Sequence, residues 1–466
     1  MARSRQFSPA LVALGVLGLS PSAEAEEGTP PSSRVVSLSQ ALTLAHEHQP
    51  TLHVAAARID AARADAAVPR AEWFPRISAG VQFDVGTVNQ TSASNFPVHG
   101  VDIARIAGRS PVRSPDWMPY PSTFVGIGAR QELYDFGRIA AQTAARDAQV
   151  RVESERAREL QLDVDFSVEE AFYAALAAKD VLRSAHDALD RAKADQALAE
   201  AGVRSGLRPP VELARVVADV ARLEAGVARA DGGVREARAV LAAALGEPAG
   251  DFDASDARPA VGAVSDLGAA IDRALAQSPR VRQVFAVVRA RELETKAIAA
   301  EERPNVVLDL VAFGWAGGAK PDGGPEAFGN GWAPSVPNYA AGVSLLVPLW
   351  DTRTDAREKA SRAREEEQRL RLEEVRQDVV AEVRGTYTAF DVAKAVLPSL
   401  DKAVDAARAN QEQAEARFKA GLGTSVELAE AEALLAEAEI RKALGEFDVA
   451  RARAALGRAL AEGATE

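Results

Sequence analysis

Residues 417–432 read RFKAGLGTSVELAEAE, and residues 202–217 read GVRSGLRPPVELARVV. Both contain G-L-x-x-x-V-E-L, with Gly421 standing 215 residues after Gly206 and Glu427 the same distance after Glu212. A glycine after an alanine-rich, charged run marks a helix end, because it accepts the positive φ that closes a C-terminus. Pro209-Pro210 in one copy and Thr424 in the other restart a helix, proline by its fixed φ and threonine as an N-cap. Each stretch therefore predicts a helix, a tight turn and a second helix.

The flanking sequence extends this reading. Leu182, Ala185, Leu189, Ala192, Gln196, Ala199 and Val203 recur at alternating spacings of 3 and 4. Leu397, Leu400, Val404, Ala407, Gln411, Ala414 and Phe418 repeat that rhythm, each 215 residues later. Beyond the second turn, Val426, Ala429, Ala433, Ala436, Ile440, Ala443 and Phe447 continue it. Such heptad seams pack knobs-into-holes, and alanine in the seam brings backbones close. A helix over 138–204 would be roughly 100 Å long at 1.5 Å per residue. Its counterpart over 353–420 matches it, with a kink or loosened turn expected at Pro398. No compact domain houses two such rods.

The repetition covers most of the chain. LSQALTLAHEHQP (38–50) aligns with LGAAIDRALAQSP (267–279), and Pro75 aligns with Pro304, both at an offset of 229. LYDFGR (133–138) aligns with LWDTRT (349–354), placing Asp135 on Asp351. The expected organisation is a signal peptide over 1–25, a first structural repeat over 26–245, a linker over 246–265, a second repeat over 266–460 and a tail over 461–466. Each repeat runs short helix, helix, strand, loop, strand, long helix, turn, helix. The hairpin tips fall at 202–213 and 417–430.

Strands are expected at about 77–88, 123–134, 306–316 and 339–350. In the first, Ile77, Ala79, Val81, Phe83 and Val85 alternate with Ser78, Gly80, Gln82 and Asp84. In the fourth, Tyr339, Ala341, Val343, Leu345, Val347 and Leu349 share one side. About ten residues per strand is the length of a tilted transmembrane strand. All five tryptophans (Trp73, Trp117, Trp315, Trp332 and Trp350) lie in or beside these strands and their loops, joined by Tyr120, Tyr134 and Tyr339. Trp and Tyr gather at the lipid–water boundary of membrane barrels, although the same residues also fill cores of small soluble sheets.

Composition supplies boundaries. The 466-residue chain carries a net charge of −12, which disfavours nucleic acid as a partner and favours cations over anions at its surfaces. It contains no cysteine, hence no disulfide, thiolate metal site or lipid-modified cysteine. Arg3 and Arg5, the apolar run Ala10 to Leu19, and Ala23-Glu24-Ala25 have the form of a cleavable secretory signal. No later stretch is long and apolar enough for a membrane helix, so entry into a membrane requires a closed β-barrel. Four strands do not enclose a useful pore, but a cyclic oligomer pools strands. The closely spaced His46, His48 and His53 are poorly placed for one helical face, and no nucleophile, phosphate-loop or metal motif appears.

Taken together, these features resemble the TolC-like outer-membrane factor family over about 36–460. The resemblance rests on the half-chain repeat, the helix starts at Pro50 and Pro279, Pro75 and Pro304 before strands, the LYDFGR and LWDTRT exits, and the tip motif Phe418-Lys419-Ala420-Gly421 followed by Glu427-Leu428. It implies a mainly α protein with a transmembrane β portion. In it the long helices form an α-helical barrel, and four strands per chain contribute to the twelve-stranded barrel of a homotrimer. It further implies a passive exit duct with no catalytic centre or cofactor, set in outer-membrane lipid. The duct would dock to a periplasmic adaptor and an inner-membrane pump of the RND, ABC or MFS type. A soluble periplasmic coiled-coil adaptor or scaffold is the competing class.

The same resemblance makes Glu427, Glu430 and Glu212 candidates for the gate at the tunnel mouth, although Glu427 also fits an ordinary capping box. Family gates often place an arginine two residues after the second turn glycine. Here that position is Gly423, and Arg208 occupies the matching place in the first repeat. Both a swapped ion pair and a gate without that pair fit this departure. Gly206, Leu207, Gly421 and Leu422 form the tips, where the leucines suit either adaptor docking or local packing. Trp73, Trp315, Trp350, Tyr134 and Tyr339 are the candidate membrane-interface aromatics.

Overall fold

The computed structural model describes residues 33–86, 117, 119–206, 208–255, 266–317 and 337–462. The signal segment, Leu207, Trp332 and the Trp315 side chain lie outside what is described. In chain order the elements are β1 (Arg34–Val36), α1 (Leu38–His48), α2 (Pro50–Ala71), β2 (Arg76–Gly86), β3 (Tyr120–Tyr134), α3 (Arg138–Arg204) and α4 (Pro210–Ala244). They continue with β4 (Phe252–Ala254), α5 (Leu267–Gln277), α6 (Pro279–Ala300), β5 (Asn305–Gly317), β6 (Asn338–Leu346), α7 (Thr352–Lys419) and α8 (Ser425–Ala459).

Helix lengths recur in order: 11 and 22 residues for α1 and α2, then 11 and 22 for α5 and α6. The long pairs are 67 and 35 residues for α3 and α4, and 68 and 35 for α7 and α8. Pro50, Pro210 and Pro279 each occupy a first helical turn, where the missing N–H costs nothing. α7 runs unbroken through Pro398.

Among the described residues the two largest apolar cores sit partway along the rods, with a smaller cluster of Leu189, Ala192 and Val220 between α3 and α4. In one, Ala41 and Ala45 of α1 meet Val168 and Phe172 of α3, Leu241 of α4 and Phe252 of β4. In the other, Ala270 and Ala274 of α5 meet Val375, Val379 and Val383 of α7 and Leu456 of α8. β1 and β4 pair in parallel beside the first core, Arg34 opposite Phe252 and Val36 opposite Ala254. β4 falls inside the stretch read as a linker; three residues carry too little periodicity to signal a strand.

The remaining strands form one antiparallel sheet in the order β2-β3-β5-β6. β6 stops at Leu346, short of the expected 350, because Pro348 brings no N–H to the ladder. Its register sets Val81 beside Val125, Ala79 beside Ile127, Ala129 beside Leu310, Ala312 beside Tyr339 and Leu308 beside Val343. Ile77, Val81, Phe83, Val85, Val125, Ile127, Leu310, Tyr339, Val343 and Leu345 on this face are all exposed. The opposite face carries Phe124 packed near Phe313 at 5.9 Å, along with Arg130 and Asp309 at 3.6 Å. The opposite face also buries Val307 and Val311, so the bare apolar face is an addition to a buried apolar side and larger than a water-exposed sheet tolerates. Among the described residues no helix is long and apolar enough to cross a membrane.

Candidate functional site at the two hairpin tips

Both tips are built on the same backbone frame. Gly206 and Gly421 each have φ of +73°, the left-handed conformation that an L side chain adopts only under strain. At the second tip, the Gly421 N–H donates to the Phe418 carbonyl at 3.0 Å and the Leu422 N–H to the Arg417 carbonyl at 2.9 Å. This pair of bonds is the Schellman closure, which satisfies the last carbonyls of α7. At the first tip the Gly206 N–H donates to the Val203 carbonyl at 3.0 Å in the same way. The helices that follow start differently: Pro209 precedes α4, whereas the Thr424 Oγ1 caps α8 by accepting the Glu427 N–H at 3.2 Å.

The first tip reaches into the second. Arg208 Nη1 donates to Glu212 Oε2 at 2.8 Å, and Nη2 donates to the Phe418 carbonyl at 2.7 Å. The guanidinium lies 3.7 Å from the centroid of the Phe418 ring. Phe418 is 1% exposed, so the arginine sits on a closed apolar platform. It also places positive charge at the C-terminus of α7, where the helix dipole is negative. Gly202 makes room for this arginine: a Cβ there would lie 2.8 Å from Arg208 Cδ. The arginine thus bonds to an acid of its own hairpin and to the backbone of the other hairpin, a geometry distinct from an ion pair between hairpins.

The other candidates are looser. Glu427 approaches Arg417 at 3.8 Å with both side chains mostly in water. Its backbone N–H is capped by Thr424, but its carboxylate pairs with Arg417. Glu430 is exposed and borders a shallow depression with Arg215 and Asp219 of α4. Leu422 is 76% exposed, which leaves local packing no part in holding it. Trp350 and Tyr339 are largely exposed and Trp73 partly so, while Tyr134 stacks edge-on against Phe136 with ring centroids 4.6 Å apart.

About two turns above the tips stands a contact that the sequence reading missed. Asp195 of α3 and Glu432 of α8 lie close together in the lining of one cavity between the hairpins. Burial, the facing Asp195 and the nearby Glu415 push the Glu432 carboxyl up to about 8. Burial raises Asp195 as well. Each acid flanks a seam residue, Gln196 or Ala433, and that adjacency was the signal available. Among the described residues no cluster suits a metal ion; His46 instead pairs with Asp165, and His53 bonds the Glu47 carbonyl.

The outer membrane efflux protein family model matches residues 41–247 and 270–462. The chain belongs to the outer membrane efflux protein family. As such it is an outer-membrane transport protein and not an enzyme. Protein CyaE of Bordetella pertussis is 31% identical over 194 residues, which are 41% of this chain and 38% of that protein's length. The fold is that of solved outer-membrane proteins. The outer-membrane channel OprN superposes with a TM-score of 0.70 at 21% identity, over 92% of this chain and 90% of OprN. VceC of Vibrio cholerae gives 0.69 at 18% identity, over 92% and 97%. The CmeC outer membrane channel of Campylobacter jejuni gives 0.71 at 12%, over 97% and 94%.

Proposed function

We propose that this efflux protein works as a homotrimeric exit duct. Three copies of the β2-β3-β5-β6 sheet join edge to edge into a twelve-stranded barrel, and the helical rods form a tunnel below it. The observation that carries this reading is the exposed apolar sheet face with two open edges, mounted on helices of about 100 Å. Open edges and bare apolar surface are both costly in water, and barrel closure in lipid removes both. The recurring helix lengths support an internal duplication, each half supplying one hairpin to the tunnel mouth.

The tips then form the mouth. Arg208 is the fastening that ties the first hairpin to the second within each copy, while Glu427, Glu430 and Glu212 supply the negative charge around the aperture. Gly206, Gly421 and the exposed Leu422, together with Leu207, present the surface for a periplasmic adaptor, and an inner-membrane pump of the RND, ABC or MFS type supplies energy and selectivity. A soluble adaptor has no use for a bare apolar sheet. The test is mass determination in detergent together with planar-bilayer recording. A trimer with single-channel currents is expected; a detergent-independent monomer without currents would overturn the proposal.

A further inference from the structure

We infer that Arg76 heads a belt of positive charge at the root of the barrel, which attracts anions there and gives the duct a second selectivity, opposite in sign to that of its mouth. The belt rests on the duct reading for its place in a lumen.

The register decides which side chains share the sheltered face. Ile77, Val81 and their neighbours lie on the bare outer side, so the alternate residues of each strand lie on the other. Across that inner side one row runs Arg76, Arg130, Asp309 and Gly342. Two arginines thus stand directly opposite each other, and like charges so placed destabilise a strand pair. Asp309 relieves only one of them. It lies 3.6 Å from Arg130 but two strands, about 10 Å, from Arg76.

Other acids do not complete the row. Glu132, further along β3, is mostly buried with one oxygen wholly out of water, and it faces Arg138 at 3.9 Å. Asp84 stands eight residues along β2, roughly 26 Å away at 3.3 Å per residue. β6 is the edge that meets β2 of the next copy, and no charged residue occurs from 338 to 350. Arg76 is therefore exposed and, among the described residues, without an acid partner.

The wall beyond the row is low. Its next rows set Ser78, Gly128 and Ala340 beside Val311, then Gly80, Gly126 and Asn338 beside Phe313. Phe124 lies across Gly126, where an added Cβ would stand 2.9 Å from its ring. The arginines are the longest side chains on this stretch of wall. Each copy brings one positive charge in excess, and trimerisation gathers three at one level. Rings of arginine favour anions as rings of acids favour cations. The acids of the tips stand about 100 Å below, the length of α3. With opposite rings in series, one polarity of voltage fills the pore with ions and the other empties it.

Planar-bilayer recording of the full-length protein in a KCl gradient tests the belt. Native channels are expected to pass more current at one polarity than at the other. Arg76→Gln is expected to lose part of that asymmetry and to raise the K⁺-over-Cl⁻ permeability ratio severalfold. Arg76→Glu should go further in the same direction, and Arg76→Lys, which keeps the charge, should stay near native. Because Arg76 faces another arginine, its removal relieves repulsion, and the variants are expected to insert normally. The differences should be clear at about 0.1 M salt, where the Debye length is about 10 Å, and fade near 1 M, where it is about 3 Å. Permeability ratios and asymmetries identical in native, Arg76→Gln and Arg76→Glu channels overturn the belt and leave the duct standing. So does a shift of equal size in Arg76→Lys, or one that persists at 1 M salt, since either marks a change of width and not of charge. Native protein that passes no current overturns the duct, and the belt with it.

Discussion

The two hairpin tips share one backbone and diverge in what hangs on it. Gly206 and Gly421 have the same φ, and both turns close with the same type of bond. Past the glycine the first tip is stiff, with Arg208 followed by two prolines, and its arginine is only 14% exposed. The second tip has Gly423 and Thr424 there, and its own ion pair, Arg417 with Glu427, lies in the open. The turn is thus a frame used twice, while the fastening runs one way, from the first tip onto Phe418 of the second. Turn geometry is set by a few local torsions, but a fastening needs a partner, and among the described tip residues the buried aromatic Phe418 of the second tip receives it, where the first has Val203.

The largest effect is expected from a blow to the frame. At either glycine an added Cβ meets nothing within 4 Å, so the whole penalty of substitution is backbone strain. A β-branched residue held at that φ costs at least the 1–2 kcal/mol of a left-handed L residue. Gly421→Val is expected to abolish export while leaving outer-membrane insertion intact, as read by cell fractionation beside an export assay. Gly206→Val carries the same strain, so a milder export defect there would show that the second tip matters more to the mouth than its frame alone explains.

Next in size is Arg208→Ala. It removes a charge-assisted hydrogen bond, the ring contact and the partner of Glu212, a loss of about 1.5–3 kcal/mol for the charged bond. Wider or more frequent open states are expected in bilayer recordings. Arg208→Lys keeps the charge but not the planar fork, and is expected to rescue little. Closed-state currents unchanged in both proteins would remove Arg208 as the fastening.

Much of this frame was legible in the sequence, and the reason is locality. A glycine, a capping threonine or a paired proline acts within one turn of helix, and a heptad seam repeats its signal over many residues. The exposed alternation of β2 was likewise written in Ile77, Ala79, Val81, Phe83 and Val85. What escaped depends on residues brought together from afar. Arg208 meets Phe418 across 210 residues, and nothing around either one says which way the hairpins lean. Phe418 showed as the last residue of a seam and the first of the tip motif, with no sign that it would receive Arg208. Asp195 and Glu432 offered no signal beyond flanking a seam residue, because a raised carboxyl is made by its neighbours and not by its own stretch of chain.

Those raised carboxyls set a moderate, measurable slope of stability on pH. Glu159, Asp165, Glu169, Asp195 and Glu432 all sit above their ordinary values, with burial the largest cause in each. In the unfolded chain they lose their protons at the usual carboxylate pH, so between that pH and the folded value the native state holds more protons. Stability then falls as pH rises, and the fall is complete once the folded groups are ionised. The thermal midpoint of the helical signal is expected to decline from mildly acidic to alkaline pH, more shallowly in Glu432→Gln. A midpoint that rises over this range would contradict the sign.

A smaller loss is expected at the cap of α8. Thr424→Ala removes the oxygen that accepts the Glu427 N–H, at a cost of about 1 kcal/mol. The first tip has no such cap to lose, because Pro209 offers no side-chain acceptor. A fraying of α8 seen by hydrogen exchange, with α4 unaffected, would sharpen the contrast between the two tips.

The smallest effect on stability is expected where the second tip's own ion pair is cut. Arg417 and Glu427 are 62% and 52% exposed, and exposed pairs contribute about 0–1 kcal/mol. Arg417→Ala should therefore leave the thermal midpoint nearly unchanged, unlike Arg208→Ala at the part-buried pair of the other tip. Charge at an aperture acts differently from charge in a pair, because copies grouped around one opening add their fields even when each is solvated. Glu427→Gln combined with Glu430→Gln is thus expected to weaken cation preference in bilayer recordings without a stability cost. Unchanged selectivity would mean that these acids are solvated surface charges, leaving the part-buried fastening of the first tip and the Thr424 cap of the second as the chemistry that separates the two ends.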